Sequence, residues 1–129
     1  MEGEGHKRQK LGQAGEDLAC SHLTEKGHTV IERNWRSGHL EIDIISVDAD
    51  GIHFVEVKTR RESIQAPPQE SVDRKKQMRI TKAAAAFLKS GEGQAFGGRE
   101  CMFDIVAVTF IEDHVRREYF PQAYIPIYL

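Results

Sequence analysis

Apolar residues recur along this chain with two periods, one near 3.6 and one of 2, and the switches between them mark out helices and strands. Leu11, Ala14, Leu18, Ala19 and Leu23 keep the helical spacing and predict a first helix over 7–26, with Gly27 as its stop. Strand patterns follow at 30–36, 40–47 and 52–59, punctuated by Ser37-Gly38 and by Asp48-Ala49-Asp50-Gly51. Helical spacing returns over 71–89, where Val72, Ile80, Ala83, Ala84, Phe87 and Leu88 form an apolar face. Two further strands are expected at 103–111 and 114–120. The order of helix, three strands, helix and two strands predicts one α/β (α+β) domain over 1–129, a mixed central sheet flanked by helices.

The remaining segments are punctuation. Residues 1–6 are expected to fray, and 60–70 (with Pro67-Pro68) and the glycine-rich 90–99 to be flexible loops. The short apolar tail 123–129 is expected to pack on the domain. Gly12 and Gly15, each costing about 1 kcal/mol relative to Ala inside a helix, predict close approach of the first helix to the sheet.

Three charges break the strand pattern. Asp43 stands among Ile42, Ile44 and Ile45, and Glu56 among Phe54, Val55 and Val57. Lys58 lies two positions past Glu56, so both side chains leave the sheet on one face. A Glu-x-Lys pair in a strand is most often a solvated salt bridge. Here the flanking apolar runs imply strands covered on both faces, and carboxylates placed there need a partner. Two acids that repel one another in a pocket are reconciled by a divalent cation, and carboxylate oxygens are the ligands Mg²⁺ prefers.

Composition adds little, but charge distribution adds a partner. A chain that is 40% apolar and 29% charged is ordinary for a globular domain. No apolar run approaches the roughly 20 residues of a membrane span, and the amino-terminus has no secretory apolar region, so a cytoplasmic protein is expected. Cys20 and Cys101 have no metal-ligand spacing and are read as reduced packing residues, and the six histidines are scattered without a cluster. The net charge is −2, yet it is unevenly spread. Residues 37–57 carry five acids and no Lys or Arg, whereas 58–89 carry nine bases against three acids. Such runs are commonly just solvated faces. An acidic pocket beside a basic shelf, with Lys75, Arg79, Lys82 and Lys89 along one helix side, also suits a phosphodiester polymer.

The ordered motifs Gly12 to Glu16, Asn34-Trp35-Arg36, Glu41-Ile42-Asp43, Val55 to Arg60 and Phe103-Asp104 resemble the YraN-like family of small predicted endonucleases. That family lies within the PD-(D/E)XK nuclease superfamily and is similar to archaeal-type Holliday junction resolvases. The resemblance covers about residues 8–110. Leu40 stands where the family usually has glycine, with Gly38 two places earlier, and the proline of the superfamily's name is absent.

The resemblance implies a restriction-endonuclease-like core and a catalytic set of Glu16, Asp43, Glu56 and Lys58. Mg²⁺, with Mn²⁺ able to substitute, would be held by Asp43, Glu56 and the Val57 backbone carbonyl. Spacing alone leaves Glu16 either on the helix surface or reaching the pocket. Arg60, Lys75, Lys76 and Arg79 are candidates for phosphate contacts. Glu41 is a candidate accessory acid at the pocket rim, and Asp104 either supports the site or plays a structural part. Three readings compete: a DNA endonuclease selective for branched, flap or single-stranded DNA; a nucleic-acid-binding module with little turnover; and a scaffold without nucleic acid. A homodimer, with the apolar tail in its interface, would suit the first.

Overall fold

The computed structural model describes residues 4–61 and 73–125, with side chains from Gln9 onward. Helix α1 (Glu4–Glu25) is followed by β1 (Thr29–Ser37), β2 (Leu40–Val47) and β3 (Ile52–Arg61). Helix α2 (Arg74–Lys89), a 3₁₀ turn (Gly93–Phe96), β4 (Cys101–Ile111) and β5 (His114–Phe120) complete the order. The sheet runs β1-β2-β3-β4-β5. β3 and β4 are parallel, every other pair is antiparallel, and α2 lies within the crossover that a parallel pair requires. Among the described residues no helix is long and apolar enough to cross a membrane.

Each helix covers its own cluster of sheet residues. Ile80, Ala83, Ala84 and Phe87 of α2 pack with Ile42, Ile45, Ile52, Phe54 and Phe103. Ala19 and Leu23 of α1 pack with Ile44, Val55, Val106 and Val108. β3 and β4 are therefore buried on both sides, which is why their apolar residues run almost without alternation.

The boundaries match the pattern closely for the strands and less well for the helices. α2 begins at Arg74 rather than at 71 because Asp73 caps it, its carboxylate accepting the Lys76 backbone N–H at 2.8 Å. α1 already runs from Glu4, so 4–6 are helical. Arg60 and Arg61 extend β3, and the rest of the loop expected there, with Ser71, Val72 and the last four residues, lies outside the described residues. The expected flexible connection at 90–99 contains the 3₁₀ turn, where a Cβ on Gly93 would collide with the Phe87 carbonyl. Tyr124 packs against Phe103, so the tail meets the domain as far as it is described.

Of the two helical glycines, only Gly15 is a point of close approach: a Cβ there would strike the Thr59 side chain, whereas Gly12 faces open space. α1 ends in a left-handed Gly27 (φ 97°). Its N–H reaches the Thr24 carbonyl and the His28 N–H reaches that of Leu23, both at 3.0 Å, the paired bonds of a Schellman stop.

Candidate active site

The site begins where a ladder ends. β2 and β3 pair from Val47–Ile52 to Ile44–Val55, and the register stops there. At the same level on the other side of β2, Asn34 in β1 is left-handed (φ 51°), between the pairs Arg33–Ile44 and Trp35–Ile42. Asn tolerates that conformation better than most residues. The irregularity separates the neighbours of Asp43, for Ile42 packs under α2 and Ile44 under α1. Gly38 sits at φ 60° in the turn between β1 and β2, a left-handed position that suits glycine.

In the resulting splay the Asp43 carboxylate does what a main-chain carbonyl would do in a continuing ladder. It accepts the Val57 N–H at 2.9 Å. The N–H and C=O of a strand residue leave the same edge, so the Val57 carbonyl is directed toward this gap too. Glu56, only 7% exposed, sits beside Asp43. Burial, followed by the charge of Glu56, pushes the Asp43 carboxyl up to about 8 against the pull of the Val57 N–H. The two acids therefore share a place where both cannot comfortably be charged.

Two ammonium groups meet Glu56. Lys58 Nζ lies 3.6 Å from its Oε1, and Lys76, from the first turns of α2, pairs with the same oxygen. Burial lowers the Lys58 pKa despite the attraction of Glu56, with Lys76 adding to the fall. Lys76 is also opposed by burial, but its hydrogen bond to Glu56 outweighs that and raises its pKa. The donor set fits a hard divalent cation, for two carboxylates and one backbone carbonyl offer oxygen alone.

Glu16 comes to the edge of this site rather than to the free helix surface. It accepts Asn34 Nδ2 at 2.9 Å and stands 3.5 Å from Arg33, and its charge adds a smaller upward push on Asp43. Glu41 pairs with Arg36 at 2.6 Å and lines the same cleft as Asp43, Glu56, Lys76 and Arg79, which places it at the rim. Arg60 follows Glu56 and Lys58 by strand alternation and is half-buried. Lys75 and Arg79 are exposed on α2.

Asp104 is elsewhere. It is fully buried, accepts from His53, the Tyr119 hydroxyl and the Gln122 N–H, and does not line the cleft of Asp43 and Glu56. Nor are the histidines scattered in space, for the rings of His28 and His53 are 4.2 Å apart beside Asp48, which corrects the expectation of no cluster. Sequence reasoning missed this group and also missed Lys76 as a partner of Glu56. The available signals were a histidine inside a doubly covered strand and a lysine at the edge of the apolar face of α2.

A five-stranded mixed sheet with two helices is an α+β arrangement consistent with a restriction-endonuclease-like core, and the Asp43–Glu56–Lys58 group stands at its strand splay. The chain belongs to the uncharacterised protein family UPF0102, whose family model matches residues 15–108. This is the YraN-like group that the motifs resemble. Among its relatives, a UPF0102 protein of Moorella thermoacetica is 42% identical over 101 residues, 78% of this chain and 82% of that one. One from Bacteroides thetaiotaomicron is 37% identical over 117 residues (87% and 93%), and one from Anaeromyxobacter dehalogenans is 38% identical over 124 (95% and 89%).

Proposed function

We propose that this protein is a cytoplasmic, metal-dependent endonuclease that hydrolyses DNA phosphodiester bonds, selecting branched or otherwise non-duplex structure rather than sequence. The observation that carries the reading is the Asp43 carboxylate on the Val57 N–H with Glu56 beside it at one strand splay, and Lys58 against Glu56. Asp43, Glu56 and that carbonyl would hold Mg²⁺, or Mn²⁺ in its place. A bound divalent cation supplies Lewis-acid polarisation of a phosphate and lowers the pKa of water. The chain's own residues do the rest. Lys58, its proton loosened by burial, orients the attacking water, exchanges a proton with it, and faces the charge that develops on phosphorus. Glu16 steadies the site through Asn34 and Arg33.

Lys58→Ala is expected to lower metal-dependent cleavage by about 10²–10⁴-fold while leaving DNA binding intact. The assay is a labelled panel of single strand, duplex, flap and four-way junction with Mg²⁺ or Mn²⁺ and an EDTA control. One observation favours a second reading, a nucleic-acid-binding module with little turnover: the Lys76 ammonium already occupies one side of Glu56. Junction binding by a wild type as inert as Lys58→Ala would select it. A homodimer would suit paired cuts across a junction.

Lys75 and Arg79 are exposed on α2, near the cleft that Arg79 helps line. Charge reversal of both to Glu is expected to weaken binding to every panel member alike and to lower the salt slope of log K by about 1 per lost phosphate contact. Unchanged binding at all salt concentrations would remove α2 from the interface, and a wild type that binds no panel member would favour a scaffold without nucleic acid.

A further inference from the structure

Asp104 and the two histidines belong to a polar group on the α1 side of the sheet, built from four separate segments. The Schellman stop of α1 delivers His28 into the start of β1. The β2–β3 turn holds Asp48, whose Oδ1 accepts the N–H groups of Asp50 and Gly51 at 2.9 and 3.2 Å. His53 comes from β3, and Asp104 from β4 next to it. Both imidazoles are buried, at 5% and 3% exposure.

The orientation of the rings is the telling feature. His53 directs Nδ1 to Asp104 Oδ2 at 2.6 Å, and His28 directs Nδ1 to Ser46 Oγ at 2.8 Å. Each ring is thereby fixed through one nitrogen. Both Nε2 atoms then turn toward one carboxylate, that of Asp48, with His53 2.8 Å from its Oδ1 and His28 3.4 Å from its Oδ2, equally far from the Tyr119 hydroxyl. The three ligand atoms lie within 4.8 Å of one another. Around a tetrahedral ion with bonds of about 2.0–2.2 Å, ligand atoms stand roughly 3.3 Å apart, which lies inside that limit. A histidine held by a carboxylate through its far nitrogen is the usual support of a metal-bound imidazole. A surface cleft lined by Lys26, Asp48, Tyr119 and Gln122 reaches the rings from solvent.

We propose that His28, Asp48 and His53 form a second metal site, selective for a borderline divalent cation of the zinc type, with Asp104 and Ser46 holding the two imidazoles. Two nitrogen donors and one oxygen distinguish it from the all-oxygen set around Asp43 and Glu56. An ion here would tie the end of α1, the β2–β3 turn and β3 together, leaving a fourth position open to the cleft. The proposal is independent of the nuclease reading.

The test uses untagged full-length Asp43→Asn/Glu56→Gln protein, in which the first site is disabled, titrated with Co²⁺ and then competed with Zn²⁺. Expected are one Co²⁺ per chain with the visible bands of a four-coordinate ion, displacement by Zn²⁺, and a raised melting temperature. His28→Gln and, separately, Asp48→Asn, which keeps an acceptor oxygen for the turn, should each weaken binding by about 100-fold or more. Asp104→Asn should weaken it by about 10–100-fold. Absence of the bands in the parent protein, or bands of full intensity after both ligand substitutions, would overturn the site.

Discussion

Asp43→Asn is expected to abolish Mg²⁺-dependent cleavage, by about 10³-fold or more on the scale of lost metal and electrostatic catalysis, and at the same time to stabilise the metal-free protein at alkaline pH. The second effect follows from the geometry of two acids in one buried splay. Asp43 has a folded pKa near 8 against an ordinary 3.8, so between those values the folded state holds more protons than the unfolded one. Stability therefore falls as pH rises through that window, by linkage, and the loss is complete above pH 8. Asn fills the same space, still accepts the Val57 N–H, and carries no charge to lose. In EDTA at pH 9 the variant should be about 1–3 kcal/mol more stable than wild type, and the two should converge near pH 4. Mg²⁺ should narrow the gap by stabilising wild type alone. Urea denaturation with and without metal measures all of this. A variant less stable than wild type at pH 9 in EDTA would mean that Asp43 and Glu56 do not oppose each other.

The parts of this site that were legible in the sequence were those set by alternation. Ile42 to Ile45 and Phe54 to Val57 announce two covered strands, and two-residue spacing puts Glu56 and Lys58 on one face whatever the tertiary structure. The bounds of β2 and β5 follow from turn residues on both sides. What escaped depends on distance along the chain. Lys75 and Lys76 are one position apart on α2, and only the docking angle of the helix decides that Lys76, not Lys75, meets Glu56. The kink at Asn34 could be suspected from the residue type, but its consequence, the parting of Ile42 and Ile44 between two cores, could not. His28, Asp48, His53 and Asp104 span some 75 positions and meet only because a parallel β3–β4 pair sets Asp104 beside Val55.

That meeting makes Asp104 the side chain whose loss should cost the most. Asp104→Ala removes the acceptor of three buried or half-buried donors, His53 Nδ1 at 2.6 Å, the Tyr119 hydroxyl at 2.6 Å and the Gln122 N–H at 2.9 Å. It also leaves His53 with a weaker hold on its charge. Breaking one side of a buried, hydrogen-bonded charge pair costs about 3–5 kcal/mol, a large share of the roughly 5–15 kcal/mol that holds a domain folded. The cost should depend on pH in a way that a simple cavity would not. His53 has its folded pKa raised above 6.5, chiefly by its bonds to Asp104 and Asp48 against the opposing effect of burial. The stability this supplies is fully present below about 6.5 and fades as pH climbs through the folded value. Urea midpoints in metal-free buffer should therefore separate wild type from Asp104→Ala most widely at pH 6, and the gap should shrink as pH climbs through the folded value of His53, while the bonds to Tyr119 and Gln122 still count. A gap that does not change as pH rises from 6 would show that Asp104 acts through packing and neutral hydrogen bonds alone, with His53 uncharged in the folded protein.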